Sequence, residues 1–228
     1  MASWLDRIVY RVKAAAPWVY DLMAAGNAAV TVAVHGRRIR RVLADAAISG
    51  TVFGEHATMR PLDVGDLDHL LSMIAAASED HLRFFHPHGL DRESLRRVLK
   101  SRTILTYGLF KGDDLVAYAI IKLFVTKKAY IGRLVAPALA GLGIGRYLIR
   151  YLYWQGYRLG FSFHATIHED NIASMQSHAG VRPYQVVADL PNGYRLIRYS
   201  IIEEDANRPR LCVERKSKVS MDSKSGGQ

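Results

Sequence analysis

The chain has 228 residues, half of them hydrophobic, with one cysteine and a formal net charge of +10. That length suits one domain with extensions, and the composition is that of a globular protein able to bury a full core. A lone cysteine, Cys212, excludes an internal disulfide, and its polar surroundings argue against a catalytic thiol. The basic excess favours anionic partners, yet it is spread along the chain. No block resembles a nucleic-acid arm, and neither zinc-finger spacing nor an aromatic RNA-binding signature occurs, so no nucleic-acid partner is expected.

Residues 1–50 read as a helical extension. Ser3-Trp4-Leu5-Asp6 supplies a cap, and Trp4, Ile8, Val9, Val12, Val19 and Leu22 fall toward one side, with Pro17 bending or restarting the helix. Residues 14–34 are apolar but alanine-rich, and Pro17, Asp21, Gly26 and Asn27 interrupt them. A spanning helix needs about 20 strongly apolar residues, so spanning is disfavoured. Acidic Asp6 and Asp21 also spoil a secretory signal. The run Arg37-Arg38-Ile39-Arg40-Arg41 leads into a second short helix ending near Gly50. Peripheral contact with an anionic membrane, or a lid or homodimer surface, are the readings left for this segment. The expected location is cytoplasmic, with the membrane surface as the variant.

The main domain is expected over residues 51–202. A strand at 52–62 leads through Asp66-Leu67-Asp68 into a helix carrying Leu70, Leu71 and Ile74. Phe84-Phe85-His86-Pro87-His88-Gly89 is irregular, and a second helix covers 92–100. Strands at 104–110 and 115–124 flank the turn Lys111-Gly112-Asp113-Asp114. A strand at 128–136, a glycine loop, a helix to residue 159 and a strand at 161–167 follow. A short helix begins near Asn171, and strands at 185–189 and 194–201 flank Leu190-Pro191-Asn192-Gly193. This order specifies a mixed α/β domain. Residues 203–228 are polar and read as a flexible tail.

The loop Leu139-Ala140-Gly141-Leu142-Gly143-Ile144-Gly145-Arg146 follows a strand and opens a helix. Glycines allow left-handed backbone and close approach, so successive N–H groups can converge on an anion, with the helix N-terminus adding partial positive charge. It is not a P-loop, because Gly145 is followed by Arg146-Tyr147 rather than Lys-Ser/Thr. It is not a dinucleotide fingerprint either, because the glycine spacing is wrong. A pyrophosphate is the anion such a turn can hold.

Arg133-Leu134-Val135-Ala136-Pro137, the loop, the helix bearing Tyr147, Leu148 and Leu152, and Asp170-Asn171-Ile172-Ala173-Ser174 together resemble the GCN5-related N-acetyltransferase (GNAT) family. Met59-Arg60-Pro61-Leu62 with Asp66-Leu67 resembles that family's opening strand and helix. The likeness covers about residues 52–201. It implies a mostly antiparallel sheet of about six to seven strands with one splayed parallel pair. It also implies acetyl-CoA as co-substrate and direct attack by an amine, with a small or amino-sugar acceptor of surface-polysaccharide synthesis as the favoured case. Coenzyme contacts are implied at Leu134, Val135, residues 140–146, Asn171 and Ser174. Ala140 stands where the family carries Gln or Arg, which removes one side-chain contact to phosphate. His178 falls where relatives place an acid for the leaving thiolate, and His86 is a candidate base. His86 and His88 are candidate acceptor contacts; with no carboxylate or cysteine nearby, a metal is not expected. A non-catalytic acyl-CoA-binding domain is the rival expectation.

Overall fold

The structure, a computed structural model, describes residues 17–214, with side chains described from residue 25. The cap at Ser3 and the side chains of Trp4, Ile8, Val9, Val12, Val19 and Leu22 lie outside the described residues, as does the chain from residue 215. One long helix, α1 (Pro17–Ala44), runs through Arg37–Arg41 and takes the place of the second short helix expected to end near Gly50; the first expected helix lies outside the described residues as far as Pro17. Pro17 opens it, where a missing N–H costs nothing. Gly26 and Asn27, which interrupt its apolar run, lie within the helix. Asn27 bridges to the sheet, donating to the Leu123 carbonyl at 3.3 Å and accepting from the Val125 N–H at 3.1 Å. Thr31, Ile39 and Val42 are buried at helical spacing, so α1 is packed on the domain. No described helix is long and apolar enough to cross a membrane.

The chain then forms β1 (Ile48–Val52), β2 (Glu55–Pro61), α2 (Leu67–Ala75), α3 (Glu79–Leu82) and α4 (Arg92–Leu99). Next come β3 (Ile104–Lys111), β4 (Asp114–Leu123), β5 (Lys128–Val135), α5 (Ile144–Leu159), β6 (Ser162–His168) and α6 (Ile172–Ala179). β7 (Tyr184–Asp189), β8 (Tyr194–Tyr199) and a two-residue β9 (Cys212–Val213) complete the order. The described strands make one sheet in the order β7-β8-β6-β5-β4-β3-β2-β1-β9. Pairing is antiparallel except β5 with β6 and β1 with β9. The mixed, mostly antiparallel architecture is as expected, and the sheet is wider than the six to seven strands anticipated.

The extra strands come from both flanks. The strand read at 52–62 is β2, and it forms a hairpin with β1, inside which lies Gly50, expected to end a helix. Residues 203–214, expected to be flexible tail, form a 3-10 turn and β9. Leu211 and Val213 are buried, and the Thr51 and Phe53 N–H groups donate to the Leu211 and Val213 carbonyls at 3.0 and 2.7 Å. A side chain on Gly50 would collide with the Leu211 carbonyl, so only glycine admits this strand. Two residues of pairing and two apolar anchors escape any composition-based reading. The flanks meet at Asp45, whose carboxylate accepts from Arg158 at 3.2 Å and Arg208 at 3.1 Å.

β4 is buried on both sides because helices cover both faces of the sheet. One face carries the larger core, built on α5 with Tyr147, Leu148, Tyr151 and Leu152. The other carries a smaller core under α2 and α4, with Leu70, Leu95, Tyr118 and Phe85. At the β2–α2 corner Arg60 grips Asp66 through both carboxylate oxygens, at 2.6 and 2.9 Å. Asp66 also accepts from the Asp63 N–H at 2.9 Å, so this half-buried charge pair is fully satisfied.

Candidate active site

Parallel neighbours β5 and β6 pair only at Lys128–Ser162, Ala129–Phe163 and Tyr130–His164. Beyond that point β5 continues along β4 and β6 continues along β8, leaving a gap between them. The bonds Phe124 N–H to Lys128 carbonyl and Val116 carbonyl to Ala136 N–H, each 2.9 Å, fix which peptides face the gap. Even-numbered residues of β5, Leu134 among them, spend their N–H and C=O on β4. Odd-numbered ones, Ile131, Arg133 and Val135, turn theirs toward the gap. The expected backbone contact at Val135 is therefore available, whereas that at Leu134 is not, although Leu134 lines the cavity.

The gap opens into a cavity of about 520 Å³ lined by Val135, Ala140, Gly141, Gly143, Gly145, Arg146, Asn171 and Ser174 among others. Gly143 caps α5 with φ of 97°, a left-handed conformation that suits glycine, and no side chain caps the helix. The first amides of α5 are thus left for a ligand. Of the loop residues singled out in the sequence, Leu142 and Ile144 do not line the cavity: Leu142 is exposed and Ile144 is in the core. Asn171 caps α6, accepting from the Ser174 N–H at 3.0 Å, so its structural role is filled while it also lines the cavity.

The histidines redistribute. His178 lines the cavity but is buried, stacked on Tyr199 with ring centroids 4.8 Å apart and Nε2 3.2 Å from the Tyr199 hydroxyl. Burial, together with the Arg133 charge, pushes its pKa down to about 2. A ring held neutral in this way does not serve as the imidazolium acid expected at that position. His86 is exposed, hydrogen-bonds the Arg83 carbonyl at 2.9 Å and does not line the cavity. His88 is turned into the smaller core, between the Gly89 carbonyl (2.7 Å) and the Tyr118 hydroxyl (3.0 Å), and burial lowers its pKa. Neither therefore fits its expected contact. Among the described residues no cluster of three His, Cys, Asp or Glu is arranged for a metal.

Two residues that the sequence did not flag take their place. His81, in α3, sets Nε2 2.8 Å from the Val135 carbonyl. A carbonyl only accepts, so Nε2 carries a proton, and the tautomer this bond selects leaves Nδ1 as the ring's acceptor. Asp80 and Phe84 line the cavity beside it. Arg133, quoted above only as part of a strand, projects to the same face as Ile131 and Val135, which pack on the larger core. Its Nη2 is 3.4 Å from both the carbonyl and hydroxyl oxygens of Ser174, and its buried Nε has no hydrogen-bond partner. The available signal was a charge inside the apolar run Ile131-Gly132-Arg133-Leu134-Val135. For His81, in a four-residue helix, there was none.

Residues 71–179 match the model of the acetyltransferase (GNAT) family. No curated protein matches the chain. Among solved structures, the GNAT domain of S. lividans PAT superposes with a TM-score of 0.61 at 16% identity, covering 68% of this chain and 97% of that one. PaiA N-acetyltransferase from Thermoplasma acidophilum, solved in complex with coenzyme A, gives 0.53 at 16% identity, covering 62% and 97%. YncA from Salmonella typhimurium, solved with its cofactor acetyl-CoA, gives 0.52 at 19% identity, covering 68% and 99%. At these identities the structures speak for the fold, and the family model speaks for descent. Residues 71–179 thus carry the sequence pattern of the GNAT acetyltransferase family, on a sheet that superposes on solved GNAT structures.

Proposed function

We propose that this protein transfers an acetyl group from acetyl-CoA to the primary amine of a small acceptor, by direct attack. The observation that carries the reading is the gap between β5 and β6, entered by the Val135 peptide and bordered by the uncapped glycine turn. The residues present fit the coenzyme: free helix-terminal amides suit its diphosphate, and a strand edge suits its amide-bearing arm. PaiA, solved with coenzyme A, and YncA, solved with acetyl-CoA, lend support by sharing the fold.

When bound, the coenzyme supplies a thioester whose carbonyl carbon gains a C–N bond as the C–S bond breaks, and the departing thiolate takes up a proton. The Val135 N–H, turned into the gap, would donate to the thioester's carbonyl oxygen as negative charge develops there, and one such donor is worth about 3–4 kcal/mol. His81, held by the Val135 carbonyl, keeps Nδ1 as the acceptor for the proton that the amine must lose. Neutral His178 leaves the thiolate without an imidazolium acid. A thiol pKa of about 8.5 makes that tolerable near neutral pH. Asp80 and Asp170 on the cavity lining favour a cationic amine, of which an amino sugar is one case.

The rival reading, an acyl-CoA-binding domain without turnover, draws on Ala140 and on the buried His178. The test is to incubate the protein with acetyl-CoA and a panel of primary amines, amino sugars included, following thiol release and product mass. A product heavier by one acetyl group is the expected result. Tight coenzyme binding with no product from any amine would establish the rival.

A further inference from the structure

Arg133 is set apart by what surrounds it. Its guanidinium enters from β5 beneath the first turn of α5, where a Cβ built on Gly145 would stand 3.2 Å from Nη1. Nη2 reaches Ser174 at 3.4 Å, and Nε is buried with no partner. Among the described residues no carboxylate pairs with it. Its neighbours are the phenols of Tyr153 and Tyr199 and the neutral ring of His178. A guanidinium taken out of water without a counter-charge costs several kcal/mol. The partial positive charge of the α5 N-terminus lies against the same group and adds to that cost. Two positive features have been brought to one place on the wall of a cavity, and the arrangement balances only when an anion lies between them. Loop position 140, where relatives carry a cation or an amide, holds alanine. Cationic side chains on this cavity wall are therefore Arg133, from the strand, and Arg146, from the first turn of α5.

We propose that Arg133 is a ligand of the coenzyme's diphosphate, acting from strand β5 together with the α5 amides. This rests on the coenzyme reading given above and goes beyond it in assigning a strand residue to phosphate recognition. Because the side chain is half-buried in the cavity wall with its Nε out of solvent, its charge acts at short range in a poorly screened setting. Hydrogen bonds to charged groups are worth about 1.5–3 kcal/mol, or about 10- to 150-fold in affinity. The burial that isolates Arg133 also lowers its pKa to about 10, which leaves it charged at neutral pH.

The test is calorimetry on the full chain and on Arg133→Met and Arg133→Lys, with three probes: coenzyme A, pantetheine and inorganic pyrophosphate. Pantetheine carries the arm without phosphates, so it separates the diphosphate from the gap. Arg133→Met should weaken coenzyme A about 10- to 100-fold and leave pantetheine within about twofold, with Arg133→Lys between. Its melting temperature should equal or exceed that of the parent, since an uncompensated buried charge has gone. A lower melting temperature with unchanged coenzyme affinity would make Arg133 a structural group and overturn the proposal. Equal weakening of coenzyme A and pantetheine would overturn it too, by placing the effect on the arm. If the parent binds pyrophosphate through Arg133 but ignores coenzyme A, the anion site stands and the coenzyme reading falls. If it binds neither, both fall.

Discussion

Two arginines on strands of this sheet meet opposite fates. At the β2–α2 corner, Arg60 meets Asp66 through two oxygens, and the same carboxylate also closes the turn that precedes α2. In the β5–α6 cleft, Arg133 has a serine and no acid. The first corner is self-sufficient: its charges cancel, its donors are used, and it adds stability without needing a ligand. The cleft has been left unbalanced. Uncapped amides, an orphaned Nε on Arg133 and an unpartnered Nδ1 on His178 collect around one cavity. Buried polar groups are normally satisfied, so a cluster of exceptions marks where something else binds.

This contrast can be broken from either side. The largest effect is expected at Gly143, whose φ of 97° admits no β-branched residue without strain. Gly143→Val should lose about 100-fold or more in coenzyme A affinity by calorimetry, since at least two amide contacts to a charged group go with the turn. His81→Ala should lower kcat by about 100-fold while coenzyme affinity holds, read by stopped-time thiol release. Rescue of turnover by added imidazole would confirm the proton role; an unaltered rate would remove His81 from the mechanism. On the balanced side, Asp66→Ala should cost about 2–3 kcal/mol in urea unfolding, because a half-buried guanidinium and a turn N–H lose their partner together. Coenzyme affinity should not follow.

The smallest effect concerns acid. His178 has its pKa depressed from the ordinary 6.5 to about 2, so between those values the unfolded chain binds a proton at this site that the folded one refuses. Its contribution is complete above about pH 6.5 and is lost as the pH falls, by at most about 1.4 kcal/mol per unit. His178→Phe, which preserves ring stacking on Tyr199, should therefore show a smaller drop in melting temperature between pH 7.5 and pH 5 than the parent. Identical slopes would mean that His178 is not held neutral.

How much of this was legible depended on period and length. The apolar runs at 104–110 and 115–124, the Lys111-Gly112-Asp113-Asp114 turn and the glycines at 141, 143 and 145 are local signals, and they gave the central strands, the loop and the domain's resemblance. Asn171 and Val135 were reached through that resemblance, and both line the cavity. What escaped was settled by tertiary contact. α1 runs through Gly26 and Asn27 because Asn27 bonds to the β4 end, and β9 exists because Gly50 leaves room for Leu211. His86 and His88 looked chemical in the sequence, yet one faces solvent and the other is locked to Tyr118. His81 sits in a helix of four residues whose only task, on local grounds, is to be a turn. Its position opposite Val135, 54 residues away, is a product of the fold.

The two flanks of the domain meet at Asp45. That carboxylate ties the end of α1 to α5 through Arg158 and to the segment before β9 through Arg208, whose Nη2 also reaches the Ala47 carbonyl at 2.7 Å. β9 is what covers the outer edge of β1, held there by two residues of pairing and by the buried side chains of Leu211 and Val213. Without β9 the outer edge of β1 would be an unpaired strand, the kind of surface on which separate copies of a chain stack edge to edge. In this molecule, cover for that edge is supplied by a two-residue strand whose approach only Gly50 permits.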